Sequence, residues 1–135
     1  MKFSEISWLK MKSSVGVDLV EIHRIRETIE RWDGRFAKKI FTPGEIEYCE
    51  GRKGRYQSYA ARFAAKEALL KAIGTGMVGG IRWKDMEILE DEESKPRVRL
   101  EGRVKELIGN REVLLSLSHT GNMAIAFVIL MESVS

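Results

Sequence analysis

Arg62–Gly76, RFAAKEALLKAIGTG, is the stretch on which the reading of the whole chain turns. With the residues before it, it predicts one long helix over Tyr56–Ile73, closed by Gly74 in the C-cap position. At about 100° per residue, Ala60, Phe63, Ala64, Glu67, Leu70 and Lys71 fall on one stripe. Arg62 and Lys66 lie on another side, beside Leu69 and Ile73. Apolar residues cover most of the circumference, as expected of a buried central helix. Glu67 and Lys71 therefore project from an apolar stripe. The plain reading is an i,i+4 ion pair, worth only ~0.2–0.5 kcal/mol when exposed. Burying two charges costs more than that, and a metal and a phosphate are adequate partners for them.

Outward from this helix the chain alternates between strand and helix patterns. Ser14–Val20 has period two, with Val15, Val17 and Leu19 on one side and Gly16, Asp18 and Val20 on the other. Helical spacing of Ile22, Ile25 and Ile29 predicts a helix from about Glu21 to Trp32, and Phe36–Ile40 reads as a short one. Thr42-Pro43-Gly44-Glu45 combines a capping threonine, a first-turn proline and a capping-box glutamate. Downstream of the long helix, Gly74, Gly76, Gly79 and Gly80 mark a loop. Met86–Glu90 and Arg97–Glu101 predict a hairpin with the acidic tip Glu90–Glu93. Gly102–Ile108 is a short helix, and Glu112–His119 and Met123–Met131 are strands joined at Thr120-Gly121-Asn122. The sum is an α+β domain, largely antiparallel strands around one long helix. One domain over 11–135 is expected, preceded by an extension over 1–10; Met11 is an alternative start.

Asp18 is a second carboxylate near the end of a strand. Alone, it is a residue stabilising the first turn of the next helix. With Glu67 it matches Mg²⁺ sites, which use one or two carboxylates and leave the remainder to water and phosphates. His119 shares a face with Val113, Leu115 and Leu117, where a histidine is more often a core residue than a catalyst. Its place at the strand's end favours a ligand-facing role. His23 lies on a polar helix face. The run GTGMVGG has neither the Lys-Ser/Thr of a phosphate-binding P-loop nor the preceding strand of a dinucleotide fingerprint. Arg52-Lys53-Gly54-Arg55 reads as a solvated loop.

Bulk properties narrow the class. The 135 residues suit one core, with 44% hydrophobic and 32% charged residues. A net charge of +3 and a pI near 9.1 permit an anionic cofactor, an acidic protein or nucleic acid. A lone cysteine, Cys49, excludes an intramolecular disulfide and disfavours a cysteine zinc site. No apolar run suits a bilayer or a signal peptide, so a cytoplasmic protein is expected, with no membrane association.

Three motifs in order resemble the holo-acyl-carrier-protein synthase family of 4'-phosphopantetheinyl transferases. They are Gly16–Ile25, GVDLVEIHRI; Phe63–Ala72 with Gly74-Thr75-Gly76; and Ser116–Thr120, SLSHT. FTPGEIEYC, beginning at Phe41, also sits where the family carries a similar helix start. The likeness runs from about Met11 to the end. It implies transfer of the phosphopantetheine arm of coenzyme A to a serine of apo-acyl carrier protein, in support of fatty acid biosynthesis. In that setting Asp18 and Glu67 bind Mg²⁺, and Glu67 helps to deprotonate the serine. Lys71 stabilises the phosphates, and His119 contacts them. Arg24 meets the carrier's acidic helix. Ser118, Thr120, Arg62, Gly74 and Gly76 line the nucleotide site. The resemblance also implies a homotrimer with sites between subunits. Ser94 stands where a glycine is common before Lys-Pro, and Met123 where an aromatic is frequent. The alternatives are a non-catalytic module for carrier protein or coenzyme A, and, last, a nucleic-acid-binding protein, for which no motif is present.

Overall fold

The computed structural model describes residues 13–133; the extension over 1–10 lies outside them. The order is β1 (Ser14–Glu21), α1 (Ile22–Arg31), α2 (Arg35–Ile40), α3 (Pro43–Glu50), α4 (Arg55–Ile73), β2 (Met86–Glu90), β3 (Pro96–Leu100), α5 (Gly102–Ile108), β4 (Glu112–His119) and β5 (Met123–Met131). β1, β5 and β4 form one sheet in that order, and β2 and β3 a second. Every pairing is antiparallel. The long helix α4 packs across β1 and β5, so the α+β arrangement around one central helix is the observed fold.

Local chemistry accounts for the elements. The Thr42 hydroxyl accepts from the Glu45 amide at 3.1 Å, and the Glu45 carboxylate accepts from the Thr42 amide at 2.9 Å, completing the capping box of α3. Gly74 closes α4 at φ 90°, a conformation that costs a glycine little. Ser94, at φ 61°, occupies the same left-handed region at the β2–β3 tip, which explains why a glycine suits this position. Gly16 lets β1 lie directly on α4: a Cβ there would stand 2.0 Å from the Ala68 carbonyl oxygen and 2.7 Å from the Ala72 nitrogen. The Ser14 hydroxyl adds a 2.6 Å bond to the Ala72 carbonyl.

Two findings differ from what periodicity suggests. The buried charges of α4 are Lys66, wholly buried, and Arg62, 4% exposed; Glu67 is half-buried and Lys71 exposed. Where almost the whole circumference is apolar, periodicity does not say which arc faces the core. Here the decision rests with Glu45 of α3, which meets Lys66 Nζ at 2.6 Å. The second finding is a largely apolar outer face on the three-stranded sheet. Val15 (60% exposed), Val17, Leu19, Leu114, Ile125, Phe127 (42%) and Met131 all point away from α4. The alternation of β1 is as read, and its apolar set is the outward one.

Candidate active site

The close approach of β1 to α4 builds the first group of residues. Asp18 follows Gly16 on the α4 side of β1, and its carboxylate receives a 2.9 Å hydrogen bond from Lys71 Nζ. Lys71 Nζ also donates to the Val17 carbonyl at 3.1 Å. Asp18 is largely shielded, at 14% side-chain exposure, whereas Lys71 is 55% exposed. Lys71 thus pairs across to β1; among the described residues it has no ion pair with Glu67, one turn earlier on its own helix.

Glu67 stands beside this pair. Burial holds its carboxyl above the ordinary glutamate range, the Asp18 charge adds to the shift, and Lys71 partly offsets it. The Asp18 contact and its charge push the Lys71 ammonium up. Glu67, Lys71, Gly74, Gly76 and Met77 line a depression of about 300 Å³ at the C-terminal end of α4. We expect Asp18→Asn to bring the Glu67 pKa down towards its ordinary value, because a like charge is removed while burial remains. Carboxyl-carbon NMR titration of metal-free protein measures it; an unchanged pKa would place the two carboxylates too far apart to interact.

A second group lies towards the other end of α4. Arg62, nine residues before Lys71, is about 14 Å away along the helix axis. His119 and Arg62, together with Tyr48, Arg52, Gln57 and Ser58, line a cavity of about 240 Å³. The Arg62 guanidinium stacks 4.0 Å from the centre of the Tyr48 ring. Among the described residues, its Nε is buried without a hydrogen-bond partner. Such an arginine suits an anion. Arg52 covers Tyr48 at 4.9 Å, and two residues of the run Arg52–Arg55, Arg52 and Gly54, border the cavity.

The strand register separates the two groups. Asp18 and Leu117 both face Ala126 of β5, while His119 faces Ala124, two residues on. Two strand spacings and two residues along put Asp18 and His119 about 12 Å apart. The cavity that His119 lines contains none of Asp18, Glu67 and Lys71. Thr120 uses its hydroxyl within the turn, accepting from the Asn122 and Met123 amides at 3.2 and 3.1 Å. Ser118 is exposed on the sheet face opposite His119. Arg24, 74% exposed, makes a 3.6 Å contact with Glu21. The sequence does not single out Tyr48, Gln57 and Ser58, and marks Arg52 only as part of a solvated loop; the i,i+4 spacing of Tyr48 and Arg52 is the available signal. Cys49 is buried, and burial pushes its thiol up to about 12, which makes it a poor nucleophile.

Comparison with known proteins places this arrangement. The model of the 4'-phosphopantetheinyl transferase superfamily matches residues 14–128. The chain is 47% identical over 118 residues to the holo-acyl-carrier-protein synthase of Geotalea daltonii, covering 85% of this chain and 94% of that one. It is 48% identical to the synthase of Solibacter usitatus, over the same shares of both chains. Among solved structures, it resembles the Chronobacterium ammoniagenes ACPS–CoA complex with a TM-score of 0.76 and 32% identity, covering 90% of this chain and 98% of that one. The holo-acyl-carrier-protein synthase of Neisseria meningitidis matches with a TM-score of 0.80 and 30% identity, covering 90% and 99%. With three motifs in order, a shared fold and relatives this close over most of the sequence, the chain belongs to the 4'-phosphopantetheinyl transferase superfamily.

Proposed function

We propose that this chain is a holo-acyl-carrier-protein synthase: it moves 4'-phosphopantetheine from coenzyme A to a serine of apo-acyl carrier protein, releasing adenosine 3',5'-bisphosphate. The observation that carries the reading is the convergence of Asp18, Glu67 and Lys71 beside the glycine loop, in a chain closely similar to synthases. Cytoplasmic action in support of fatty acid biosynthesis is part of the proposal. No described helix is long and apolar enough to cross a membrane.

Two carboxylates beside one exposed lysine fit Mg²⁺, which takes one or two carboxylates and fills its shell with water and substrate phosphates. Among the described residues no cluster of three or more His, Cys, Asp or Glu side chains could hold a metal, so a site closed by protein ligands does not fit. Asp18 and Glu67 would hold the ion, which supplies positive charge against the pyrophosphate of coenzyme A. The chain's own groups do the rest. Glu67, directly or through a water, takes the proton from the carrier serine. The serine oxygen bonds to the β-phosphorus, and the bond from that phosphorus to the bridging oxygen of the departing 3',5'-bisphosphate breaks. Lys71 turns from Asp18 to the phosphates and offsets the charge gathering on the leaving group. Arg62, Arg52 and His119 offer donors to the remaining phosphate. Ser118, Thr120, Gly74 and Gly76 border the nucleotide.

The separation of the two groups within one chain, and the apolar outer face of the three-stranded sheet, support a homotrimer. A patch containing Val15, Val17, Leu19 and Phe127 is costly to leave in water, and neighbouring copies would cover it. We expect Phe127→Arg to convert a trimer to monomer in sedimentation equilibrium; a wild-type monomer would remove this part of the proposal.

Arg24 and Arg31, seven residues apart, share an exposed face of α1. Such cations suit the acidic helix of a carrier protein. Arg24→Glu is expected to raise KM for carrier protein about tenfold, with KM for coenzyme A little changed. The opposite pattern would reject its docking role. The non-catalytic alternative is separated by product: release of adenosine 3',5'-bisphosphate from coenzyme A should require apo-carrier protein. Binding of both partners without release would favour a mere binding module.

A further inference from the structure

Lys66, the residue before Glu67, is wholly buried and has no part in the chemistry above. Its ammonium donates to Glu45 Oε1 at 2.6 Å, to the Ile40 carbonyl at 2.7 Å and to the Trp83 carbonyl at 3.4 Å. All three ammonium protons are therefore used. Glu45 is equally committed: Oε1 also accepts from the Thr42 amide, and Oε2 accepts from the Ile88 amide at 2.9 Å. The Phe41 ring, 5.2 Å from Lys66 Nζ, closes the site. One side chain thus fastens α4 to the end of α2, to α3 and, through Glu45, to β2. Trp83 is where the loop that begins at Gly74 rejoins the core, and its indole packs on Phe63 at 5.6 Å between ring centres.

The packing of α4 gives this clamp its importance. Six of its eleven buried residues are alanine (60, 61, 64, 65, 68 and 72). Alanine surfaces are shallow, so they constrain rotation of a helix about its own axis weakly compared with interlocking large side chains. A buried charge with three fixed acceptors is directional, and it is satisfied in one orientation. That orientation sets Glu67, about 100° further round, at the rim of the core beside Asp18. We propose that Lys66 is a positioning residue: its clamp between Glu45, the Ile40 carbonyl and the Trp83 carbonyl fixes the rotation of α4 and anchors the glycine loop, and so presents Glu67 and Lys71 to Asp18.

The inference rests on the transferase reading for its catalytic consequence, but its geometric content can be tested separately. Lys66→Met removes the clamp at similar volume, and Glu45→Gln removes the charge while keeping shape. Both are compared with wild-type protein for melting temperature, for Mn²⁺ affinity by electron paramagnetic resonance and for transfer kinetics. In whichever variant folds, Mn²⁺ binding should weaken about 10–100-fold and kcat should fall by a comparable factor, with KM for carrier protein unchanged within about twofold. Mn²⁺ affinity within about threefold of wild type in a folded variant overturns the proposal, whatever happens to kcat. So does failure of both variants to fold, which would make the pair a stability element, and so does absence of Mn²⁺ binding by wild-type protein. Wild-type protein that binds Mn²⁺ but transfers nothing counts against the transferase reading and leaves the affinity comparison standing.

Discussion

Glu67→Gln should reduce transfer about 10²–10⁴-fold while leaving the melting temperature near that of wild type. The carboxylate is half-buried and makes no ion pair among the described residues, so its loss breaks no structural bond. Glutamine has nearly the same volume and cannot accept the serine proton or supply a charged oxygen to a cation. Because burial and Asp18 hold the Glu67 carboxyl up, the neutral side chain should be tolerated by the fold or favoured. The sign follows from the shift: a carboxyl raised above its unfolded value makes the native state relatively more stable as pH falls through the folded pKa. Glutamine should therefore flatten that part of the pH–stability curve. Retained activity would reduce Glu67 to a bystander; loss of activity together with loss of fold would make its role structural.

Gly16→Ala should damage both fold and site. A methyl group at this position would meet backbone atoms of α4, the Ala68 carbonyl oxygen at 2.0 Å and the Ala72 nitrogen at 2.7 Å. Neither belongs to a flexible side chain, so β1 and α4 must separate. Overpacking of this kind costs about 1–3 kcal/mol or more. The same separation pulls Asp18, two residues on, away from Lys71 and Glu67. Thermal melting should show a clear loss of stability. The folded fraction should transfer at least about tenfold more slowly, since a displacement near 1 Å at a positioned site can cost about a hundredfold. Wild-type kinetics in folded Gly16→Ala protein would mean that the β1–α4 contact does not set the site.

Residues whose partners are close in sequence were the legible ones. The Thr42–Glu45 box, the Gly74 stop of α4 and the Thr120–Asn122 turn are each decided within a few residues, and each is present in the fold. The Gly16 contact was not legible as a requirement: a glycine in an alternating strand does not reveal that a helix backbone lies against it. The same holds for Lys66. Its partner Glu45 lies 21 residues earlier, so a circumference of apolar residues gave no sign that this arc, and not the Glu67–Lys71 arc, turns inward. The outer face of β1 misleads in another way, because an apolar alternation looks the same whether it faces a core or a solvent-exposed sheet surface. Asp18, Glu67 and Lys71 stood out in the sequence as charges among apolar residues; the fold brings them together, but with Lys71 exposed and not buried. The Tyr48–Arg62 stack was not legible, since it joins α3 to α4.

The central claim is that this chain carries phosphopantetheine from coenzyme A to a carrier serine. Intact-protein mass spectrometry of a cognate apo-acyl carrier protein, incubated with the chain, coenzyme A and Mg²⁺, tests it most directly. The account predicts that the carrier gains the mass of one phosphopantetheinyl group on its serine, and that a chelator prevents the gain. An unchanged carrier mass, under conditions where another holo-acyl-carrier-protein synthase modifies the same sample, would contradict it.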